Sequence, residues 1–346
     1  MGIYTISDDK RIDDVIARDL EFIVDRVREV IPARAIVLGG GFGRGEGGVL
    51  TAAARIRPVN DYDIFVVVPD SNNVDFKRIG REIAKQVKIR AIDLMPIKYS
   101  DLPQLAATQI NYDLKYGSTF LWGEDILSKI PRYKNSDVDE RSGQTLLLNR
   151  MVCALEAFSE NFVRREMNGE ERFFLVNQTG KVVSACIEAL LMSKGKYHHS
   201  YMERRNIFDA EFPEWEELRR LNSQATEFKL RPSESPAVDA IAYWDEAITQ
   251  YLNVLAIYFA PRSCRSSLGL WGRLTLGRRL AAITSNPIER IELMLLLGRR
   301  APFVAQRLIL LQARRALERI SKRPIHCIEW ETLRADTVQL WHQLYH

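Results

Sequence analysis

Two aspartates have the type and spacing that metal-dependent phosphate chemistry requires. Asp61 and Asp63 stand two residues apart at the start of an apolar run from Ile64 to Val68. Alternate residues of a β-strand point to the same side, so the two carboxylates would lie next to each other. Close carboxylates repel unless a cation lies between them, and Mg²⁺ is a hard ion that prefers oxygen ligands. The pair therefore predicts a magnesium site.

Asp93 is a third candidate ligand. It lies in an otherwise apolar segment from Ile89 to Ile97, which we predict to be a largely buried strand. A carboxylate buried without a partner costs several kcal/mol or becomes neutral. If this strand lies beside the strand that carries Asp61 and Asp63, the three carboxylates converge on one metal site.

A glycine-rich turn, Gly39 to Gly48, precedes these acids. Glycines such as Gly40, Gly41 and Gly43 let a backbone come close to a phosphate. Arg44 adds a forked cation that suits phosphate oxygens. A phosphate-binding turn beside a metal site is what nucleotidyl transfer needs, with one metal activating the acceptor hydroxyl and the other holding the triphosphate. We therefore expect two Mg²⁺ ions, and ATP or another nucleoside triphosphate as substrate.

In this order, the motifs resemble the nucleotidyltransferase superfamily related to DNA polymerase β. Its signature is a strand ending in Gly-Gly or Gly-Ser, an acid-x-acid pair at the next strand, and a third acid on a later strand. Gly40-Gly41, then Asp61 with Asp63, then Asp93 match it. The glycine motif is most similar to the catalytic module of bacterial protein uridylyltransferases, whose regulatory and hydrolase domains have no counterpart here.

The resemblance implies roles for several residues. Asp61 and Asp63 would bind metal, and Asp93 would complete the site and take the proton of the acceptor hydroxyl. Helical domains of related transferases often lend a cation to the triphosphate, and Lys181 or Arg204 are the candidates. The expected reaction is transfer of a nucleoside monophosphate, most simply AMP from ATP, to a hydroxyl with release of pyrophosphate.

This chain departs from the family pattern at two places. Gly41 stands where many members have serine, so backbone donors would have to suffice there. Val49 to Val59 lengthens the connection between the glycine turn and the acids. Such an insertion would alter how the acceptor approaches.

The remaining pattern predicts two domains. Strand-like and helix-like segments are interleaved up to Trp122, whereas helical patterns dominate from Gln144 onward. We predict an α/β nucleotidyltransferase core, a mixed sheet with flanking helices, at 1–130, and an all-helical C-terminal domain for cleft closure and acceptor selection at 131–346. The predicted elements are helices at 8–30, 74–87, 144–167, 173–192, 237–259, 287–297 and 301–321, and strands at 35–38, 64–68 and 89–97.

Composition indicates an ordinary globular protein, because 46% of the residues are hydrophobic and 27% are charged. The sequence has no apolar run long enough to span a membrane, and residues 1–11 do not have the pattern of a signal peptide. A cytoplasmic location is expected. The four cysteines and five histidines show no disulfide or zinc spacing.

Positive charge is concentrated in one segment. Residues 261–323 hold 14 Lys and Arg against three Glu, and Arg300, Arg307 and Arg314 recur every seven residues. This pattern is typical of a solvated helix face, but it also predicts an anionic partner such as RNA or a phosphorylated acceptor. The acceptor stays open among a small molecule such as an aminoglycoside-like sugar, a protein side chain and an RNA end.

Other functions compete with this interpretation. Gly43 to Gly48 formally matches a dinucleotide-binding pattern, but that hypothesis leaves the three aspartates unexplained. A non-catalytic nucleotide- or RNA-binding protein on the same fold is the main alternative. A peripheral membrane protein that uses Leu268 to Leu280 is another.

Overall fold

A computed structural model describes residues 2–52, 55–59, 61–70, 74–259 and 284–345 of the chain. The chain divides into two compact units. The first comprises Met1–Ser142, Lys194–Glu211 and Thr226–Glu234, and the second comprises Gly143–Ser193, Phe212–Ala225 and Ser235–His346. The first unit therefore takes in two segments that lie beyond the predicted boundary at residue 130.

Strands and helices alternate up to Gly123, and the described chain beyond that residue is helical. The elements up to that point are α1 (Lys10–Val30), β1 (Ala35–Leu38), α2 (Gly40–Gly43), β2 (Val49–Ala52), β3 (Arg55–Pro58), β4 (Tyr62–Val68), α3 (Phe76–Val87), β5 (Ile92–Lys98), a 3-10 turn (Tyr99–Gln104), α4 (Gln109–Tyr116) and β6 (Thr119–Gly123). Short 3-10 turns (Leu127–Lys129, Asn135–Asp137) then lead to α5 (Glu140–Asn149), α6 (Met151–Ala157), α7 (Asn161–Arg164), α8 (Gly169–Ser193), α9 (Tyr201–Glu211), α10 (Glu216–Leu230), α11 (Ala240–Phe259), α12 (Pro287–Arg300), α13 (Phe303–Ser321) and α14 (Trp330–Tyr345).

The first unit is built on a mixed sheet with the strand order β5-β4-β1-β6. Strand β1 runs antiparallel to both of its neighbours, whereas β4 and β5 are parallel. The parallel register pairs Asp63 with Asp93. The prediction of a mixed sheet with flanking helices and a largely helical remainder is confirmed.

Helix α1 covers one face of this sheet because its apolar residues recur every three or four positions. The Asp9 side chain caps its N-terminus by accepting a hydrogen bond from the Arg11 amide. The predicted helix at 8–30 agrees with these bounds. Its buried stripe consists of Ile12, Ile16, Leu20, Ile23 and Val27.

Alternation along β4 sends its side chains to two separate cores. Ile64 and Val66 pack with α1 and α3 on one face, whereas Phe65 and Val67 join a second apolar core on the other. Asp63 shares the parity of Phe65 and Val67. The candidate metal-binding carboxylate therefore belongs to the face opposite α1 and α3.

The strand that carries Asp93 differs from its prediction as a largely buried strand. Strand β5 is an edge strand in which Ile92 and Leu94 are buried, whereas Asp93 is exposed. The apolar residues around Asp93 indicated burial on both faces of the strand. At this end of β5, however, only the face that carries Ile92 and Leu94 is covered. Asp93 is thus not a carboxylate buried in the core.

The inserted segment between the glycine turn and the acids forms a hairpin. Strands β2 and β3 pair antiparallel, with Val49 opposite Pro58 and Leu50 opposite Arg57. These two strands form a sheet of their own, separate from the four-stranded sheet. The insertion therefore leaves the order of the main sheet intact.

The second unit is helical, and one of its predicted helices is wrong. The segment 144–167 was predicted as a single helix, but it forms parts of α5, α6 and α7, with breaks at Arg150 and Phe158. Phe158 is extended, and its ring stacks on Trp244 with 4.1 Å between the ring centroids. Tertiary packing of this aromatic side chain overrides the helical periodicity.

None of the described helices is long and apolar enough to cross a membrane. The cytoplasmic location stays a prediction. The proposed membrane-binding stretch Leu268 to Leu280 lies outside the described residues, as does part of the basic segment 261–323. In the described part, Arg300 pairs with Asp245 at 2.9 Å and Arg314 pairs with Glu318 at 3.8 Å. An anionic partner at this segment stays a prediction.

Candidate functional site

The structure brings the three predicted carboxylates together at one end of the parallel strand pair. Asp63 and Asp93 are direct neighbours in the register of β4 and β5, and Asp61 precedes β4 by one residue. Asp63 is partly buried, and both other aspartates interact with it electrostatically. The two-residue spacing and the adjacent strand thus bring the acids near one another, whereas their convergence on one metal ion stays a prediction.

The surroundings of Asp63 perturb the protonation of its carboxyl group. Burial, and then the charges of Asp93 and Asp61, raise its pKa from 3.8 to about 6. Lys229 and Arg44 act in the opposite direction and lower this pKa. Because burial is the largest of these effects, a bound cation would stabilise the ionised form of Asp63.

The glycine turn packs directly against Asp63. The Gly39 amide donates a hydrogen bond to the Asp63 carbonyl oxygen at 2.7 Å. Gly40 has a φ of +60°, and a Cβ atom at this residue would lie 1.8 Å from Asp63 Oδ2. A Cβ at Gly43 would lie 2.3 Å from the Leu38 carbonyl oxygen. Only glycine therefore lets the backbone reach the carboxylate at this point.

Gly41 completes the predicted set of glycines. It is buried in α2, and a Cβ atom there would lie 3.2 Å from the Glu46 carbonyl oxygen. A larger side chain would require the backbone around Glu46 to shift. Gly40, Gly41 and Gly43 thus all lie in one short turn beside Asp63, whereas their contact with a phosphate stays a prediction.

Arg44 is held by protein groups. Its side chain is only 6% exposed, and Nη1 donates to Asp113 Oδ2 at 3.1 Å and to the His199 carbonyl oxygen at 2.6 Å. Burial alone would lower the pKa of Arg44, but Asp113, Tyr201, Tyr197 and Glu46 together raise it. Arg44 therefore stays charged and fixed beside the site. Its role as a phosphate ligand stays a prediction.

Glu46 connects the glycine turn to helix α9. Its carboxylate accepts hydrogen bonds from the Ser200 hydroxyl and the Tyr201 amide, both at 2.7 Å, and from the Met202 amide at 3.2 Å. Ser200 in turn accepts a bond from the Glu203 amide at 3.2 Å. These bonds satisfy amide groups that a helix N-terminus leaves unpaired. The turn and α9 are thereby fixed to each other.

Three cationic side chains lie near the ring of Tyr201. Arg204 Cζ lies 4.3 Å from the ring centroid, Arg44 Cζ lies 4.8 Å away, and Lys229 Nζ lies 5.5 Å away. Cations are attracted to the face of an aromatic ring at such distances. Lys229 also interacts with Asp63. The site therefore combines a carboxylate cluster with a group of cations next to the glycine turn.

Several of these residues escaped the sequence analysis. Asp113 accepts a hydrogen bond from the Tyr197 hydroxyl at 3.0 Å as well as its bond from Arg44. Neither Asp113 nor Lys229 belongs to a motif, because each lies on a helix far along the chain from the residue it contacts. The signal in the sequence was the group of tyrosines near these residues, Tyr112 and Tyr116 on α4 and Tyr197 and Tyr201 around the start of α9.

Lys181, which was predicted to contact the triphosphate, lies on α8 in the second unit. The contact of Lys181 with a triphosphate stays a prediction. Arg204, the other candidate cation, is buried in the first unit, and its Nη1 donates to the Tyr197 hydroxyl at 3.3 Å.

The aspartate carboxylates fit a Mg²⁺ site only if a phosphate ligand supplies further oxygen atoms. Among the described residues, no group of three or more His, Cys, Asp or Glu side chains is arranged to hold a metal ion. Mg²⁺ usually takes one or two carboxylates and completes its octahedron with waters and substrate phosphates. Asp63 with one neighbouring aspartate supplies such a pair.

No known protein family and no curated protein matches this chain. Any functional conclusion therefore depends on the site itself.

Proposed function

We propose that the protein is a Mg²⁺-dependent nucleotidyltransferase that moves a nucleoside monophosphate, most simply AMP from ATP, to a hydroxyl and releases pyrophosphate. The observation that carries the proposal is the contact between Gly40 and Asp63. A Cβ atom at Gly40 would lie 1.8 Å from Asp63 Oδ2. A glycine turn that touches a carboxylate cluster places phosphate-binding backbone and metal-binding oxygens at the same point.

The cations beside this point support a triphosphate as the substrate. Lys229 interacts with Asp63, and Arg44 lies buried behind the glycine turn. A triphosphate is strongly anionic and is stabilised by positive groups that are held in place before it binds. Lys229, at the end of α10, is the cation that we assign to the phosphates. Arg44 positions the turn through Asp113 and the His199 carbonyl group.

The acids have different roles because their environments differ. Partly buried Asp63, with Asp61, would hold a Mg²⁺ ion, whose positive charge would stabilise the phosphate and the acceptor oxygen. Exposed Asp93 lies beside Asp63 in the register and can accept the proton of an incoming hydroxyl. Asp63 and Asp61 would thus serve the cation, whereas Asp93 would serve the acceptor.

Replacement of Asp63 by Asn tests the proposal. Purified wild type and Asp63→Asn are incubated with Mg²⁺ and each nucleoside triphosphate in a cell metabolite extract and total RNA, and pyrophosphate release is followed. The wild type should release pyrophosphate and the variant should not. Asp14→Asn is the matched control, because Asp14 is an exposed aspartate on α1, and it should behave as the wild type. Equal release by wild type and Asp63→Asn would refute the proposal.

The second candidate is a nucleotide-binding protein without turnover. One observation favours it. Among the described residues, no three His, Cys, Asp or Glu side chains are arranged so that they could hold a metal ion. In that case Asp63→Asn should bind ATP at least as tightly as the wild type, since a negative charge is removed, and neither protein should release pyrophosphate.

A further inference from the structure

A pocket of about 990 Å³ opens on the first unit, on the same sheet face as the carboxylates. Phe65 of β4 and Met95 and Ile97 of β5 contribute to its lining. Ile110 of α4 lines it from another element and is 58% exposed. This volume lies in the range of small-molecule binding pockets.

The lining of the pocket begins two residues beyond the carboxylates along β4 and β5. Met95 follows Asp93 by two residues on the same side of β5, a distance of about 7 Å, since a strand rises about 3.3 Å per residue. Phe65 follows Asp63 in the same way on β4. A molecule that lies over these two side chains can therefore extend one end to the aspartates.

The strand order indicates whether the triphosphate or the acceptor would occupy this pocket. The glycine turn follows β1 on one side of β4, and Asp93 lies on β5 on the other side. In phosphoryl and nucleotidyl transfer, the attacking and leaving oxygens lie roughly in line across the phosphorus atom. If pyrophosphate leaves on the side of the glycine turn, the hydroxyl enters from the side of β5. Four residues of β5, Met95 to Lys98, line the pocket and extend it to this entry side.

The lining determines the chemistry of the occupant. Side chains near the carboxylates are apolar, whereas the far end carries the exposed residues Asp70, Lys98 and Asp101. Hydrogen bonds from the Ser100 side chain and then from its amide, with smaller effects of Lys98 and Arg34, hold the pKa of Asp70 below its ordinary value, so Asp70 is ionised. Two carboxylates and one ammonium group line this end, and Arg34, which also acts on Asp70, pairs with Glu124 at 3.1 Å, so the end is negative. The far end of the pocket therefore favours binding of a positively charged group over a negatively charged one.

We propose that this pocket binds the acceptor, and that the acceptor is a small amphiphilic alcohol that carries an amine. The assignment rests on the proposed nucleotidyl transfer. The hydroxyl lies at Asp93, the apolar body covers Met95 and Ile97, and the amine lies near Asp101. From Asp93 to Lys98 the strand spans about 16 Å, which sets the length of the molecule. The acidic end disfavours RNA and other polyanions here.

In the reaction, the hydroxyl oxygen forms a bond to the α-phosphorus of the triphosphate. The bond from that phosphorus to the oxygen bridging to the β-phosphate breaks, and pyrophosphate leaves with the electron pair. Asp93 receives the proton of the hydroxyl.

Three ten-carbon probes with one terminal hydroxyl test the pocket: an amino alcohol, a diol and a hydroxy acid, each below its aggregation concentration. Their binding to the full chain is measured by calorimetry without nucleotide. The amino alcohol should bind about tenfold tighter than the hydroxy acid, a difference of about 1.4 kcal/mol. Ile110→Trp fills the pocket from an exposed position and should weaken binding about tenfold or more. Asp101→Lys should abolish the preference for the amine.

Val163→Trp is the matched control, because Val163 is 62% exposed and lies on α7, outside the pocket. It should leave binding unchanged. Hydroxy acid binding that equals amino alcohol binding, or an Ile110→Trp variant that binds as the wild type does, would overturn the assignment.

Transfer of the α-labelled phosphate separates the two proposals. Probe binding as expected, without pyrophosphate release from any triphosphate, would refute the nucleotidyl transfer and with it the role of the pocket as an acceptor site. Label transfer to RNA, without probe binding, would keep the transferase and refute the pocket. Label transfer to the amino alcohol, lost in Ile110→Trp but retained in Val163→Trp, supports both.

Discussion

Asp63→Asn should stabilise the folded protein in the absence of nucleotide, and the gain should grow with pH. Burial and two neighbouring acids raise the pKa of Asp63 from 3.8 to about 6. A carboxyl group with a raised pKa stabilises the fold only while it is protonated, and this stabilisation is lost as the pH rises through the folded-state pKa. Above that pH, the wild type carries a charge that the fold disfavours. Asparagine has a similar shape and carries no charge.

The size of the effect follows from the rise in pKa. It amounts to about two pKa units, and each unit corresponds to about 1.4 kcal/mol. The variant should therefore gain about 3 kcal/mol in the free energy of unfolding at pH 8, and about half as much at pH 5, where the wild-type group is largely protonated in the folded state. The pKa of about 6 already includes the effects of Lys229 and Arg44, which lower it.

Urea unfolding of both proteins at pH 5 and pH 8 measures the difference. Asp14→Asn serves as the control, because it makes the same substitution at an exposed residue of α1 outside the cluster. A stability gain in Asp63→Asn that is equal at the two pH values would refute the reasoning. A wild type that is more stable than Asp63→Asn at pH 8 would also refute it.

Three further substitutions test the supports of the site. Gly40→Ala forces a side chain into a left-handed backbone and against Asp63, so thermal unfolding should show a loss of about 1 to 3 kcal/mol, and pyrophosphate release should fall. Asp113→Asn removes the charge that pairs with buried Arg44, so urea unfolding should show a loss of about 3 kcal/mol or more. Lys229→Met raises the pKa of Asp63 further, because Lys229 lowers it, and the pH profile of activity should move to higher pH.

Each of these substitutions has a control. Gly169→Ala should be neutral, because no atom lies within 4 Å of the added Cβ. Lys229→Arg keeps the positive charge and should keep the wild-type pH profile. Asp113→Glu keeps the charge on α4 and should be less destabilising than Asp113→Asn. A Gly40→Ala protein as stable and active as the wild type would show that the turn does not constrain Asp63.

The carboxylate cluster could be predicted from the sequence because it depends on local rules. The two-residue spacing of Asp61 and Asp63 fixes a common face, and successive strands with an intervening helix favour parallel neighbours. The mixed sheet followed from the same alternation of strands and helices. The exposure of Asp93 could not be predicted in this way. An apolar segment does not reveal which strand lies at the edge of a sheet.

The contacts around Arg44 could not be predicted because they join distant parts of the chain. Arg44 and His199 are 155 residues apart in sequence, and Glu46 and Ser200 are 154 apart. No periodic pattern encodes such pairs. The break at Phe158 was missed for a similar reason, since its ring packs on Trp244 of another helix. Tertiary contacts decided these features.

The position of the transferred label tests the central claim most directly. Wild-type protein with Mg²⁺ is given ATP labelled on the α-phosphate in one reaction and on the γ-phosphate in another, together with a metabolite extract. Nucleotidyl transfer predicts that the α-label joins an acceptor and the γ-label leaves as pyrophosphate, and that Asp63→Asn does neither. Transfer of the γ-label to an acceptor, or α-label transfer that survives Asp63→Asn, would contradict the account.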